Sequence, residues 1–388
     1  VSEKLGVYIH IPYCIQRCTY CDFATYVQNE ILPPTKYVDL VKKEISLKKY
    51  VFAEKFSGKN LSTIYFGGGT PSLIPAELII SLISELSKHG FTTGPQTEIT
   101  IEINPATVDP KKLELYLAAG VNRFSVGAQT FHDRLLKSVN REHNAKQTFD
   151  TLELLRKYKL NFSFDLLFAL PTQTLAELES DVLTAIDLGS SHISPYCLTV
   201  PEGHPLSKNR PLEDEQIEMF NIIHQKLTSK NFSRYEISNY ALPEKESQHN
   251  LLYWQDKPYW GLGLSAHSHS KNTTWGERFW NASNINIYEQ EVLTATENQP
   301  LISKAHQIEI LEKHQAMTDF CHTSLRISQG LSLTDVEKKF GQAKEIQIIG
   351  DDLVRRGLLE LKKNSYKLTD AGVLISNQIF EKFTFLKT

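Results

Sequence analysis

Cysteine is scarce in this chain, with five in 388 residues. An odd, low count excludes a disulfide-stapled scaffold and fits a reducing, cytoplasmic setting. Long apolar runs are missing too: none approaches the roughly 18 residues of a membrane span. Net charge is nearly absent, at −3 with a pI near 6.5, so the chain does not read as a general binder of nucleic acid or of anionic membrane surfaces. No secretory leader precedes the first strand-like run in the sequence as given. The 41% of apolar residues suffices for a large core without staples.

What is present is alternation. Strand-like runs at Gly6–Ile11, Thr63–Gly67, Thr97–Ile103, Arg123–Val126, Asn161–Leu167 and Ile193–Leu198 are separated by amphipathic helical patterns. Those patterns run over Thr35–Lys49, Pro75–Lys88, Pro110–Ala119, Ala145–Tyr158, Leu175–Leu188 and Asp214–Ser229. Six such repeats predict an α/β fold with a parallel sheet rolled into a full or partial barrel. A seventh strand is expected around Tyr235–Ser238. The Trp- and His-rich stretch His249–Trp280 reads as long loops packed on the barrel, and Gln290–Pro300 as a linker. The expected division is 1–290 for the barrel with its following loops and 301–388 for a C-terminal helical, winged-helix-like domain. In the latter, Ser332 or Thr334 caps a first helix, and a second helix precedes a small hairpin. Leu331–Thr388 carries ten Lys/Arg against eight Asp/Glu, too even a balance for a DNA-reading wing.

Polar residues collect where barrel chemistry is usually found, at the C-terminal ends of strands. Cys14, Cys18 and Cys21 follow the first strand and the GGGTP stretch (Gly67–Pro71) follows the second. Glu102 and Asn104 close the third, Gln129 follows the fourth, Asp165 sits in the fifth, and Tyr196 lies near the end of the sixth. The cysteines are spaced C-x3-C-x2-C. Three thiolates on one loop can hold three corners of a 4Fe-4S cluster and leave the fourth iron open to an external ligand. The alternative is zinc, with His10 as fourth ligand.

The C-x3-C-x2-C loop with Tyr20 before its last cysteine, followed by GGGTP after the next strand, resembles the radical S-adenosylmethionine (SAM) superfamily. That resemblance implies a 4Fe-4S cluster on Cys14, Cys18 and Cys21. It also implies reductive cleavage of SAM to methionine and a 5′-deoxyadenosyl radical. It places the SAM amino group at Gly67, Gly68, Gly69 and Thr70. Glu102, Asp165 and Gln129 become partners for ribose hydroxyls or the ammonium, Arg141 a fork for the methionine carboxylate, and Tyr8 a further SAM-site residue.

The ordered stretches YIHIPYCIQRCTYCDF, EINP, RFSVGAQTF, YEISNYA, QHNLLYW and GLGLSAHS resemble the oxygen-independent coproporphyrinogen III oxidase group, and within it the HemW, or haem-chaperone, branch. Phe23 stands where the true dehydrogenases carry a fourth cysteine. The chain opens on its first strand, and His249-Asn250-x-x-Tyr253-Trp254 matches an H-N-x-x-Y-W motif of that branch. The sequence departs from the group at Ala169 and Ser265, where glycine is usual, and in the VPEGHPL turn.

The expected function is therefore haem binding and delivery to acceptor proteins. Haem is the cargo and His249 the candidate iron ligand, with His267 and His269 as rivals. Cys197 and Cys321 read as small buried hydrophobes. Flavodoxin or ferredoxin is the expected electron donor, no nucleic acid is involved, and any membrane association runs through the acceptor. SAM cleavage is an expected capacity, whereas coproporphyrinogen dehydrogenation is not. The alternatives are that dehydrogenase, a radical SAM methyltransferase, and a zinc-bearing DNA-binding module.

Overall fold

The computed structural model describes residues 4–296 and 307–387. Six strand–helix units build its main body. They are β1 (Gly6–Ile11), α1 (Pro34–Lys48), β2 (Thr63–Gly68), α2 (Ala76–Lys88), β3 (Glu98–Ile103), α3 (Pro110–Ala118), β4 (Arg123–Gln129), α4 (Ala145–Lys157), β5 (Phe162–Phe168), α5 (Leu175–Asp187), β6 (His192–Cys197) and α6 (Glu213–Ser229). Strands β1 to β6 lie side by side in chain order, all parallel. The expected α/β repeat is thus the observed one.

Local chemistry starts the helices where the pattern predicts. Asp109 accepts the Lys112 N–H at 2.7 Å ahead of Pro110, which opens α3. Asn144 with Gln147, and Thr174 with Glu177, form capping boxes on α4 and α5. Strand β4 runs three residues past its expected end. A register irregularity between Val126 and Gln129, with Gln129 at φ 70°, carries the pairing on to Gln129.

Two expectations change. The seventh strand is part of an antiparallel hairpin, β7 (Ser233–Glu236) and β8 (Asn239–Ala241), with β8 pairing antiparallel to β6. Residues 249–280 are not loops. They form α7 (Gln248–Trp254) and three four-residue strands, β9 (Tyr259–Leu262), β10 (His267–Ser270) and β11 (Glu277–Trp280). Strand β9 pairs parallel to β1 and seats Trp260 between Phe52 and Phe91. Strands of only four residues carry too little alternation to be read from sequence. Helix α8 (Ile285–Thr294) takes up the start of the expected linker, whose residues 297–300 lie outside the described residues. With β12 (Ile308–Ile310), the sheet order is β12-β11-β10-β9-β1-β2-β3-β4-β5-β6-β8-β7.

A buried ion pair fastens the added strands to the barrel. Glu44 on α1 is fully buried and accepts from Lys48 (3.0 Å), Asn281 (2.7 Å), the Gly263 N–H (2.8 Å) and the Tyr288 hydroxyl (2.7 Å). All its acceptor sites are used, which is what makes a buried carboxylate tolerable.

The C-terminal region has an apolar core of its own, including Leu325, Val336, Phe340, Ile346, Leu353 and Tyr366. It comprises α9 (Lys313–Arg326), β13 (Leu331–Ser332), α10 (Leu333–Phe340), α11 (Ala343–Arg355), β14 (Leu359–Lys362), β15 (Ser365–Leu368) and two short helices, α12 (Asp370–Leu374) and α13 (Ser376–Lys382). Ser332 caps α10 through the Asp335 N–H at 3.2 Å, and the hairpin β14–β15 follows α11 as expected. Polar contacts join this region to the barrel side. Arg326 bonds Glu236 at 2.9 Å and stacks 4.5 Å over Trp254, while Lys339 reaches Asp256. Among the described residues, no helix is long and apolar enough to cross a membrane.

Two stability outcomes follow from these contacts. Glu44→Ala leaves Lys48 buried without its partner and is expected to cost about 3–5 kcal/mol in urea unfolding; a loss under 1 kcal/mol contradicts the role given to Glu44. Ser265, at φ 56°, holds a left-handed conformation that disfavours a side chain. Ser265→Gly is expected to stabilise by about 1 kcal/mol, read in the same assay; no gain contradicts the strain.

Candidate functional site

One cavity of about 420 Å³ is lined from the parallel strands β2 to β6 and the loop after β1, within the usual range of roughly 300–1,000 Å³ for small-molecule sites. Its walls come from every second residue. Glu102 and Asn104 lie on and just beyond β3, Arg123, Ser125, Gly127 and Gln129 on β4, Asp165 and Leu167 on β5, and His192, Ser194 and Tyr196 on β6. The intervening residues, such as Ile101, Phe124, Val126, Phe164, Leu166 and Ile193, are buried in the outer core. A strand's period of two thus sorts one polar face inward and one apolar face outward.

The cysteine loop lies on this cavity. Cys14, Cys18 and Cys21 are half-buried free thiols on its wall. Burial pushes the Cys14 thiol up to about 11. Arg141 points one N–H at Cys18 Sγ (3.3 Å) and holds Asn104 Oδ1 and the Gly127 carbonyl, each at 2.5 Å. The GGGTP turn is stitched to the same loop: the Gly69 N–H donates to the Ile11 carbonyl (2.8 Å) and the Thr70 N–H to the Tyr13 carbonyl (2.7 Å). A Cβ on Gly69 would lie 2.6 Å from the Tyr13 carbonyl. One on Gly68, at φ 110°, would lie 2.5 Å from the His10 ring. These glycines therefore permit close packing of protein on protein, before any ligand is considered.

Glu102 clasps the turn. It accepts from the Gly68 N–H (3.1 Å) and the Tyr65 hydroxyl (2.8 Å), and burial pushes its carboxyl up to about 7. Burial likewise raises Asp165 to about 6; its oxygens accept from Ser125 at 3.3 and 3.5 Å. Gly68, Gly69, Thr70, Glu102, Gln129, Arg141 and Asp165 line the cavity with the cysteines. Gly67 and Tyr8 sit behind the wall. Gly67 abuts Glu102, and Tyr8 stacks 6.1 Å from Tyr65 and bonds His10 at 3.1 Å.

The zinc alternative finds no support in this arrangement. Both His10 nitrogens are engaged, Nδ1 by Tyr8 and Nε2 by the Ala24 carbonyl at 2.9 Å. Among the described residues, no three His, Cys, Asp or Glu side chains converge on a single ion. A cubane makes no such demand, because each thiolate takes a different iron.

His249 does not reach the cavity. It is 1% exposed at the barrel floor, with Nδ1 at 2.6 Å from Thr63 Oγ1 and Nε2 at 2.7 Å from the Tyr253 hydroxyl. Burial holds its imidazole neutral, down to about 3. As placed, neither nitrogen is free for iron. Its neighbour Asn250 lines the cavity instead. His269 is buried against Asp256 at 3.2 Å. His267 is exposed, stacks on Trp280 at 5.6 Å, and has no hydrogen bond from its ring among the described residues. Cys321 is buried in the C-terminal core, as expected, whereas Cys197 is exposed and lines the cavity. Sequence reading missed Tyr65, Arg123, Ser125, His192 and Ser194; extending the period of two back from Gly67, Gln129 and Tyr196 along their strands finds them.

Residues 8–185 match the family model of the Radical SAM superfamily. Along 99% of its length the chain is 31% identical to "Heme chaperone HemW" of Lactococcus lactis subsp. lactis (strain IL1403), covering 98% of that protein. The chain belongs to the HemW family. It is also 32% identical to "Heme chaperone HemW" of Bacillus subtilis (strain 168), over 97% of this chain and 98% of that one. The fold matches coproporphyrinogen III oxidase HemN of Escherichia coli, a radical SAM enzyme, with a TM-score of 0.81. The match covers 99% of this chain and 90% of that one at 21% identity.

The raised carboxyls set a pH dependence. The folded chain keeps the Asp165 proton up to about pH 6, whereas the unfolded chain loses it near its ordinary value of about 4. Raising the pH through that window therefore favours the unfolded state, by at most about 3 kcal/mol. Urea unfolding of the ligand-free protein from pH 4 to pH 7 is expected to show this loss, and Asp165→Asn to flatten it. Parallel curves for the two proteins contradict the raised carboxyl.

Proposed function

We propose that this protein binds haem and hands it to acceptor proteins, and that a 4Fe-4S cluster with SAM in the barrel cavity serves or regulates that transfer. The observation that carries the reading is the full-length similarity to HemW chaperones, at 31–32% identity over 97–99% of the chain. Phe23 supports it over coproporphyrinogen dehydrogenation. It is exposed on the cysteine loop, so no fourth thiol stands there. The donor set fits the cluster: three unpaired thiols share one cavity wall beside a guanidinium.

When bound, the cluster and SAM supply one-electron cleavage chemistry. The chain's own residues hold and orient. Cys14, Cys18 and Cys21 take the irons. Arg141 faces Cys18 and is placed for the methionine carboxylate. The GGGTP turn and Glu102 receive the amino group, and Asp165 and Gln129 the ribose. A cationic ligand would restore charge to Glu102 and Asp165, whose burial otherwise favours the protonated form. A cytoplasmic setting, an electron donor such as flavodoxin or ferredoxin, and membrane contact through the acceptor complete the proposal. We take residues 1–290 and 301–388 as its two working units.

Among the three histidines first considered for the iron, His267 is the one with a free imidazole. Haem titration of the anaerobically reconstituted protein is expected to give a saturable Soret band near one haem per chain. His267→Ala should weaken it at least tenfold and His249→Ala should leave it. No specific haem binding overturns the chaperone reading. Loss of the band in His249→Ala alone overturns the ligand assignment and nothing else.

A further inference from the structure

One charged group in the cavity has no hydrogen-bond partner among the described residues. Arg123 opens β4, and its side chain lines the cavity while only 3% exposed. None of its N–H groups hydrogen-bonds to a described residue, and Nε is wholly buried without one. The nearest carboxylate, Glu98, stays 4.0 Å away, beyond hydrogen-bond reach. Its oxygens are already taken by the backbone N–H groups of Gln248 (3.1 Å) and His249 (3.0 Å) at the start of α7. Arginine cannot shed its proton, so a buried guanidinium whose N–H groups go unsatisfied is unfavourable, and a loose ion pair with Glu98 offsets that only in part.

Its surroundings are built to receive such a group. His192 also has a buried nitrogen without a partner, Nδ1, while its Nε2 is held by the Tyr235 hydroxyl at 2.8 Å. Asn250 lines the same cavity and can donate, whereas the Ser125 and Ser194 hydroxyls serve Asp165. Asp165 is the carboxyl that faces this region; burial raises it to about 6 while Arg123 pulls it down, so near neutral pH it shares the guanidinium's charge without bonding its N–H groups. The cavity's other guanidinium, Arg141, is committed to Cys18, Asn104 and Gly127. Two arginines therefore mark two separate ends.

We propose that Arg123, with His192 and Asn250, forms a carboxylate-binding subsite at the cavity floor, separate from the Cys18–Arg141 end. A planar guanidinium fork with free N–H groups matches a carboxylate in bidentate fashion. Two sources carry that chemistry, a porphyrin propionate and the carboxylate of an amino-acid-like ligand such as SAM. The first source rests on the haem reading above, and the second does not.

The test uses the full chain, stripped of iron by chelation, in two binding titrations. One compares protoporphyrin IX with its dimethyl ester by fluorescence. The other compares SAM with 5′-methylthioadenosine by calorimetry. In at least one titration, the carboxylate-bearing ligand is expected to bind about ten- to a hundredfold more tightly. Arg123→Met is expected to abolish that preference. Arg123→Lys should keep part of it. The preference that Arg123→Met removes identifies the source, a propionate in the first titration and the amino-acid carboxylate in the second; a SAM preference that survives belongs to Arg141. Equal binding with and without carboxylate in both pairs overturns the proposal from the wild-type protein alone. Survival in Arg123→Met of every preference that the wild type shows overturns it equally. Failure of any porphyrin to bind speaks against the haem reading and leaves the SAM pair to decide this one. Thermal unfolding of the ligand-free protein adds a check. Arg123→Met should melt no lower than wild type if the guanidinium waits for a ligand; a marked drop would assign Arg123 to holding the fold.

Discussion

The structure depends on one constraint, the period of two in six parallel strands. Most parallel sheets are buried on both faces and read as continuous apolar runs. Here each strand keeps an apolar set under the helices and turns a polar set inward. An inner face carrying Glu102, Arg123, Asp165 and His192 cannot be packed dry, because unpaired buried charges are too costly. The barrel must therefore keep a cavity, and the cavity must hold polar ligands or water. The raised carboxyls of Glu102 and Asp165 are the imprint of that arrangement on the ligand-free chain.

The cysteine loop and the glycine turn are a second consequence. They meet at the C-terminal ends of β1 and β2, which are neighbours in the sheet. Backbone bonds from Gly69 and Thr70 to Ile11 and Tyr13 fix one against the other, and glycine is required because a Cβ there would strike the facing chain. Arg141, reaching from the loop before α4, ties the far side of the site to Cys18. Three thiols, a carboxylate clasp and a guanidinium are thus held by elements from different repeats. The floor is closed by α7, whose N-terminus is capped by Glu98 and whose His249 bonds to Thr63 of β2.

Much of this was legible in the sequence. The six repeats stood out because strong amphipathic helices with Asp, Asn or Thr caps separate β-branched runs. The cysteine spacing and GGGTP located the rim. What was hidden had physical causes. Strands β9 to β11 are only four residues each, so they looked like loops. The H-N-x-x-Y-W motif suggested an iron ligand, but its histidine is spent on Thr63 and Tyr253 inside the fold. Arg123 and His192 stand at the starts of their strands, away from the rim where barrel chemistry is sought, and only the alternation points to them.

The central claim is that Cys14, Cys18 and Cys21 hold three corners of a cluster and leave the fourth iron to SAM. Electron paramagnetic resonance of the reconstituted, dithionite-reduced protein, with and without SAM, tests it directly. The account predicts the signal of one reduced 4Fe-4S cluster per chain, with g-values that shift when SAM is added. A cluster whose signal ignores SAM, or no cluster at all after reconstitution, would contradict it.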